Sequence, residues 1–148
     1  MSFTLDANIL LYTSDETSEY HPRARAFVER LATGDELVYL FWPTVMAYLR
    51  IATHPAVYEK PLSPGDAVAN IDRLLDLPHV QTAGEHDRFW SMYQQVAAEA
   101  DARGNVVSDA HIVALMTENG VRTIWTHDRD YRRFTGIEVR DPFDESAP

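Results

Sequence analysis

Short apolar runs alternate with amphipathic helical stretches along this chain, and that alternation limits its fold more than any other feature. Residues 3–5, 37–41, 80–82 and 122–126 read as strands, with 137–139 as a final edge strand. Between them lie helical patterns. A short helix runs from Ala7 to about Tyr12, and residues 14–19 form a polar surface loop. His21-Pro22 opens a second helix, with Ala24, Phe27, Val28 and Leu31 at helical spacing and Gly34 at its end. Pro43 suits the first turn of a helix reaching Thr53, with Val45, Tyr48, Leu49 and Ala52 on one face, and His54-Pro55 stops it. Ser63-Pro64-Gly65-Asp66 is a helix start with a serine cap, and Val68, Ile71, Leu74 and Leu75 are expected to face inward. Phe89, Trp90, Tyr93, Val96 and Ala97 mark a further amphipathic helix. A last helix runs from Ser108, its expected cap, to Asn119, ended by Gly120. Strands alternating with helices predict an α/β fold, a parallel sheet with helices on both faces.

In such sheets the site lies beyond the carboxyl ends of the strands. Asp6 closes the first apolar run, and Asp128 and Asp130 follow the strand ending at Thr126. Asp109 falls in the first turn of a helix, where the helix dipole favours an ionised carboxylate. Each aspartate alone also reads as a cap or a helix-start charge. Together they mark one edge of the sheet. Carboxylates left at strand ends are costly unless something cationic gathers them. Clustered oxygen donors select Mg²⁺ or Mn²⁺ over thiophilic metals, which points to metal-assisted phosphodiester chemistry.

The 148 residues are expected to form one domain over positions 1–148, with an ordinary apolar fraction of 45%. No run is long enough to span a membrane, and no leader peptide is recognisable. The absence of cysteine excludes disulfides and thiolate metal sites and is consistent with a cytoplasmic address. Thirteen Lys+Arg against 23 Asp+Glu give a net charge of −10, the wrong sign for a passive nucleic-acid binder. Lys60 is the single lysine, so the positive charge is almost wholly arginine, the better phosphate fork.

The segments Leu5-Asp6-Ala7-Asn8-Ile9-Leu10-Leu11-Tyr12, Gly104-Asn105-Val106-Val107-Ser108-Asp109-Ala110-His111 and Thr126-His127-Asp128-Arg129-Asp130-Tyr131 resemble those of PIN-domain ribonucleases of the VapC toxin type. Phe134-Thr135-Gly136-Ile137 and Asp141-Pro142 extend the likeness, as do Phe41-Trp42-Pro43, the stretch from Tyr48 to Pro55 and Pro61-Leu62-Ser63. The resemblance implies an α/β/α sandwich with an acidic pocket for Mg²⁺ or Mn²⁺. By that resemblance Asp6, Asp109 and Asp128 are the metal ligands and catalytic residues, and Asp130 is outer-shell or structural. It implies hydrolysis of structured RNA, tRNA or rRNA, with the cation acidifying the attacking water and Asp128 orienting or deprotonating it. It also implies a VapB-type antitoxin covering the pocket, and a homodimer. The chain departs from the family pattern on the helix after the second strand. Many members carry a glutamate near the position of Ala47 or Tyr48, and none stands here.

Other residues carry two readings. Asn8, Asn105 and Thr126 either orient the acids or serve as loop, cap and strand residues. Arg50 and Arg129 are candidate RNA contacts; Arg132 and Arg133 read equally as a solvated helix end. The six histidines lack a zinc-ligand spacing, and His127 is expected to point away from Asp128. Trp42, Trp90 and Trp125 are expected in the core more than in base stacking. The rival to a nuclease is a catalytically inactive PIN domain serving as an interaction or RNA-binding module. A phosphatase reading is weaker, because Asp6 is followed by Ala7 and Asn8 and no Asp-x-Asp-x-Thr signature exists.

Overall fold

The computed structural model describes residues 1–144. In chain order its elements are β1 (Ser2–Leu5), α1 (Ala7–Ser14), α2 (His21–Thr33), β2 (Leu37–Phe41), α3 (Trp42–Ala52), α4 (Pro64–Leu75), β3 (Val80–Ala83), α5 (Phe89–Ala100), α6 (Val106–Glu118), β4 (Thr123–Trp125), a 3₁₀ helix (Arg129–Arg133) and β5 (Glu138–Arg140). The five strands pair in the order β3-β2-β1-β4-β5, and every pairing is parallel. The chain steps outward from β1 through β2 to β3, then returns to the other side of β1 for β4 and β5. The order therefore reverses between β1 and β4, the place in such sheets where loops leaving the carboxyl ends of the two strands part.

Period-two alternation puts a separate core on each face. Phe3, Leu5, Val38, Leu40 and Val80 meet Ile9, Leu10, Phe27, Leu31, Val45, Tyr48 and Ile71 of α1 to α4. Phe41 and Ile124 meet Ala110, Val113 and Met116 of α6, with Tyr131 and Phe134 beyond β4. Each fully buried aliphatic side chain such as Ile9, Leu40 or Ile124 contributes about 1.5–3 kcal/mol. Buried Tyr48 has its polar end satisfied: its hydroxyl bonds Ser14 Oγ at 2.7 Å and accepts from Asn70 Nδ2 at 2.9 Å.

The α/β architecture with helices on both faces is as the sequence predicts, and α4 starts on Ser63, whose hydroxyl accepts the Asp66 amide at 3.1 Å. Three local expectations are corrected. Val68 is exposed and Ala67, its neighbour, is buried in its place, while Ile71, Leu74 and Leu75 pack on the core as expected. Helix α6 begins at Val106, not at a Ser108 cap: Gly104, at φ +54°, turns the chain early and brings both valines into the first turn. Trp42 and Trp90 are 47% and 64% exposed, so their ring faces are not core. Only Trp125 packs inward, edge-on to Phe3 and tilted against Phe27. No helix among the described residues is long and apolar enough to cross a membrane.

Candidate metal centre

The reversal between β1 and β4 gathers the acids. Asp6 is the first residue past β1, and its amide donates to the Trp125 carbonyl at 2.9 Å, tying the exit of β1 to the end of β4. Thr126, one residue past β4 and almost fully buried, donates from Oγ1 to Asp6 Oδ2 at 2.8 Å. The same oxygen accepts the Asp128 amide at 2.9 Å. Asp128 in turn caps the 3₁₀ helix, its Oδ1 accepting the Asp130 amide at 2.9 Å. Asp109 arrives from the opposite direction, in the first turn of α6.

One carboxylate oxygen from each of Asp109, Asp128 and Asp130 lies within 4.8 Å of the others. Asp6 stands beside this group and is coupled to it by charge. Burial pushes its carboxyl above the ordinary value; Asp128 adds to that, and the Thr126 hydroxyl and the amides of Asn8 and Ala7 oppose it. Asp109 is pushed up to about 6, first by burial and then by repulsion from Asp128, Asp6 and Asp130, while a hydrogen bond from Tyr131 pulls it down. Raised carboxyls in mutual repulsion describe a site short of positive charge. Among the described residues, Asn8 Oδ1 is the buried side-chain polar atom left without a hydrogen-bond partner, at the second residue of the helix that follows Asp6. An all-oxygen donor set of this kind fits Mg²⁺ or Mn²⁺.

The other predicted residues are placed as follows. Asn105 precedes α6, exposed and making no side-chain cap bond. Arg129 is exposed between Asp128 and Asp130. Arg50 sits exposed in the last turn of α3. His127 points away from the cluster as alternation predicts, with Nδ1 on Asp141 Oδ2 at 2.8 Å and its ring against Tyr20 and Phe143.

Tyr131 was not among the sequence candidates. It is 3% exposed, and burial first, then the charges of Asp6 and Asp109, keep its hydroxyl protonated far above the usual tyrosine range. A buried tyrosine needs a partner for its hydroxyl, and Tyr131 lies three residues after Asp128 in a 3₁₀ turn, where i and i+3 eclipse. That spacing was the available signal.

The PIN domain family model matches residues 3–137. Ribonuclease VapC48 of Mycobacterium tuberculosis is 48% identical over 143 residues, covering 97% of this chain and 99% of that protein. Two solved structures share the fold at low identity. Mycobacterium tuberculosis VapC20, described as a Sarcin-Ricin loop cleaving toxin, has a TM-score of 0.67 at 16% identity, over 93% of this chain and 98% of its own. VapBC2 from Rickettsia felis, bound to a DNA fragment from their promoter, has a TM-score of 0.69 at 14% identity, over 95% and 98%. With the family model spanning nearly all of it and a VapC relative at close to half identity, this chain belongs to the PIN domain family, on its VapC branch.

Proposed function

We propose that this chain is a divalent-metal-dependent endoribonuclease, the toxin of a VapB–VapC pair, hydrolysing phosphodiester bonds in structured RNA such as tRNA or rRNA. The observation that carries the reading is the convergence of Asp109, Asp128 and Asp130 beside Asp6 at the sheet's reversal point, in a chain so similar to a ribonuclease.

Bound Mg²⁺ or Mn²⁺ supplies charge stabilisation on the phosphoryl oxygens and a more acidic water. Asp6 and Asp109 hold negative charge where that cation is wanted. Thr126 locks one oxygen of Asp6, so its other oxygen has a set direction. Asp128, anchored through its amide and Oδ1, is the group that orients the attacking water or takes its proton. Arg129, exposed between two of the acids, meets a flanking RNA phosphate.

A VapB-type antitoxin fits the acidic balance of −10, which favours a basic segment over the pocket. Trp42 and Met46, one turn apart on α3 and 47% and 58% exposed, support a homodimer. The absence of cysteine agrees with a cytoplasmic setting.

One observation favours the inactive-module alternative. Helix α3 offers no carboxylate: it carries Val45, Met46 and Ala47, and Tyr48 turns its hydroxyl to Ser14 and Asn70. Cleavage of total tRNA and rRNA by antitoxin-free protein decides between them. Cutting that needs Mg²⁺ or Mn²⁺, stops with EDTA and is lost in an Asp6→Asn/Asp109→Asn double variant establishes the nuclease. A folded protein that binds Mn²⁺ yet cuts neither RNA establishes the module.

A further inference from the structure

We propose that Asp130 is a direct ligand of the divalent cation in this chain, filling the coordination place that α3 leaves without a carboxylate. The inference rests on the metal reading of the site given above. The family resemblance assigns Asp130 an outer or structural part, and the geometry favours a different one.

The mutually close oxygens are those of Asp109, Asp128 and Asp130, within 4.8 Å of one another. Two oxygens on one Mg²⁺ stand at most about 4.2 Å apart, twice a bond of about 2.1 Å. Asp130 is exposed, so a small side-chain rotation closes the remaining few tenths of an ångström. Its backbone is held for this: the Asp130 amide is tied to Asp128 Oδ1. Asp6 lies outside this group of three, with its Oδ2 taken by Thr126 and its other oxygen left to face the cation. Helix α3 supplies no acid, and its tyrosine hydroxyl is committed to Ser14 and Asn70. A separate sign of an unmet partner is Asn8 Oδ1, a buried atom two residues after Asp6 with no hydrogen bond. An aspartate at a 3₁₀ helix start is ordinarily a surface charge, and that role predicts no loss of metal on neutralisation.

The test is Mn²⁺ titration followed by the free-ion EPR signal, with water-proton relaxation reporting how many waters remain on the bound ion. Native protein is compared with Asp130→Asn, Asp130→Ser and, as reference, Asp109→Asn, each checked for folding by circular dichroism. The expected result is Mn²⁺ binding weakened by more than about 100-fold in both Asp130 variants, beyond the range that loss of an outer partner costs. Relaxation per bound ion should also rise, as water replaces the lost ligand. Native affinity and native relaxation in the Asp130 variants, with binding lost in Asp109→Asn, overturn the Asp130 assignment and leave the metal reading standing. Failure of native protein to bind Mn²⁺ overturns both.

Discussion

Thr126 Oγ1 donates to Asp6 Oδ2 at 2.8 Å while accepting the Asp128 amide at 2.9 Å, so one buried hydroxyl joins the two strand-end acids on either side of the sheet's reversal point. Thr126→Val keeps the shape and removes both bonds, leaving a buried carboxylate oxygen and an amide unpaired. The expected cost is about 1–3 kcal/mol, read by urea denaturation in EDTA. Mn²⁺ affinity should fall about 10-fold to 100-fold, as for other groups that orient a ligand. Thr126→Ser should restore most of both. A valine variant with native stability and native Mn²⁺ affinity would show that the bridge contributes nothing.

The metal-free protein should lose stability as pH rises through the range in which Asp109 ionises. Its folded pKa of about 6 lies above the ordinary 3.8, so between those values the folded chain binds more protons than the unfolded one. This contribution therefore favours folding below about 3.8, declines upward and is fully lost above about 6. Asp6 acts in the same direction. In EDTA at pH 7, Asp109→Asn should be more stable than native protein, with a flatter stability–pH curve over that window. Thermal denaturation at half-unit pH steps checks it, and a native curve for the variant counts against the repulsion.

Cation binding must displace the proton that Asp109 holds, so Mn²⁺ affinity should climb through pH 6 and level off above it. Removing the Tyr131 hydroxyl with Tyr131→Phe deletes the bond that lowers the Asp109 pKa, and the midpoint should move upward. The ring stays packed against Phe134, so the fold should persist. Calorimetric titration of Mn²⁺ from pH 5 to 8 reads the midpoint; a downward move would mean that the hydroxyl does not favour the ionised acid.

Trp42 and Met46 present adjacent exposed apolar surface on α3, with Trp42 backed by Gly84, where an added Cβ would come within 3.3 Å of the indole. If a second copy covers this face, light scattering should give twice the chain mass for native protein. A Trp42→Glu/Met46→Glu variant should then run as a folded monomer. A monomeric native protein, or a dimeric variant, removes these residues from the interface.

Much of the fold was legible because its signals are local. Apolar runs with period-two faces, the Ser63 cap and proline at helix starts act within a few residues, and they specify β1, β2, α2 and α4. The errors came where a neighbouring element decides the outcome. Which residue of α4 faces inward depends on how the helix is rolled against the sheet, so Ala67 was passed over for Val68. Tryptophan hydrophobicity says nothing about whether anything covers the ring, and Trp42 and Trp90 lie open on this chain's surface.

The sequence by itself determined the donor chemistry: aspartates and no cysteine, placed just past apolar runs or at a helix start, which restricts any cation to a hard, oxygen-seeking one. Only the tertiary structure decided which of them meet. Asp6 and Asp128 are 122 positions apart, and they are neighbours because β1 pairs with β4 at the place where strand order reverses. The ties that orient them, Thr126 to Asp6 and Asp128 to Asp130, depend on dihedral angles at the strand exits. So does the approach of Asp130 to Asp109. Residue types set what a site can hold, and the long-range pairing of the backbone sets which of their oxygens stand close enough to hold it.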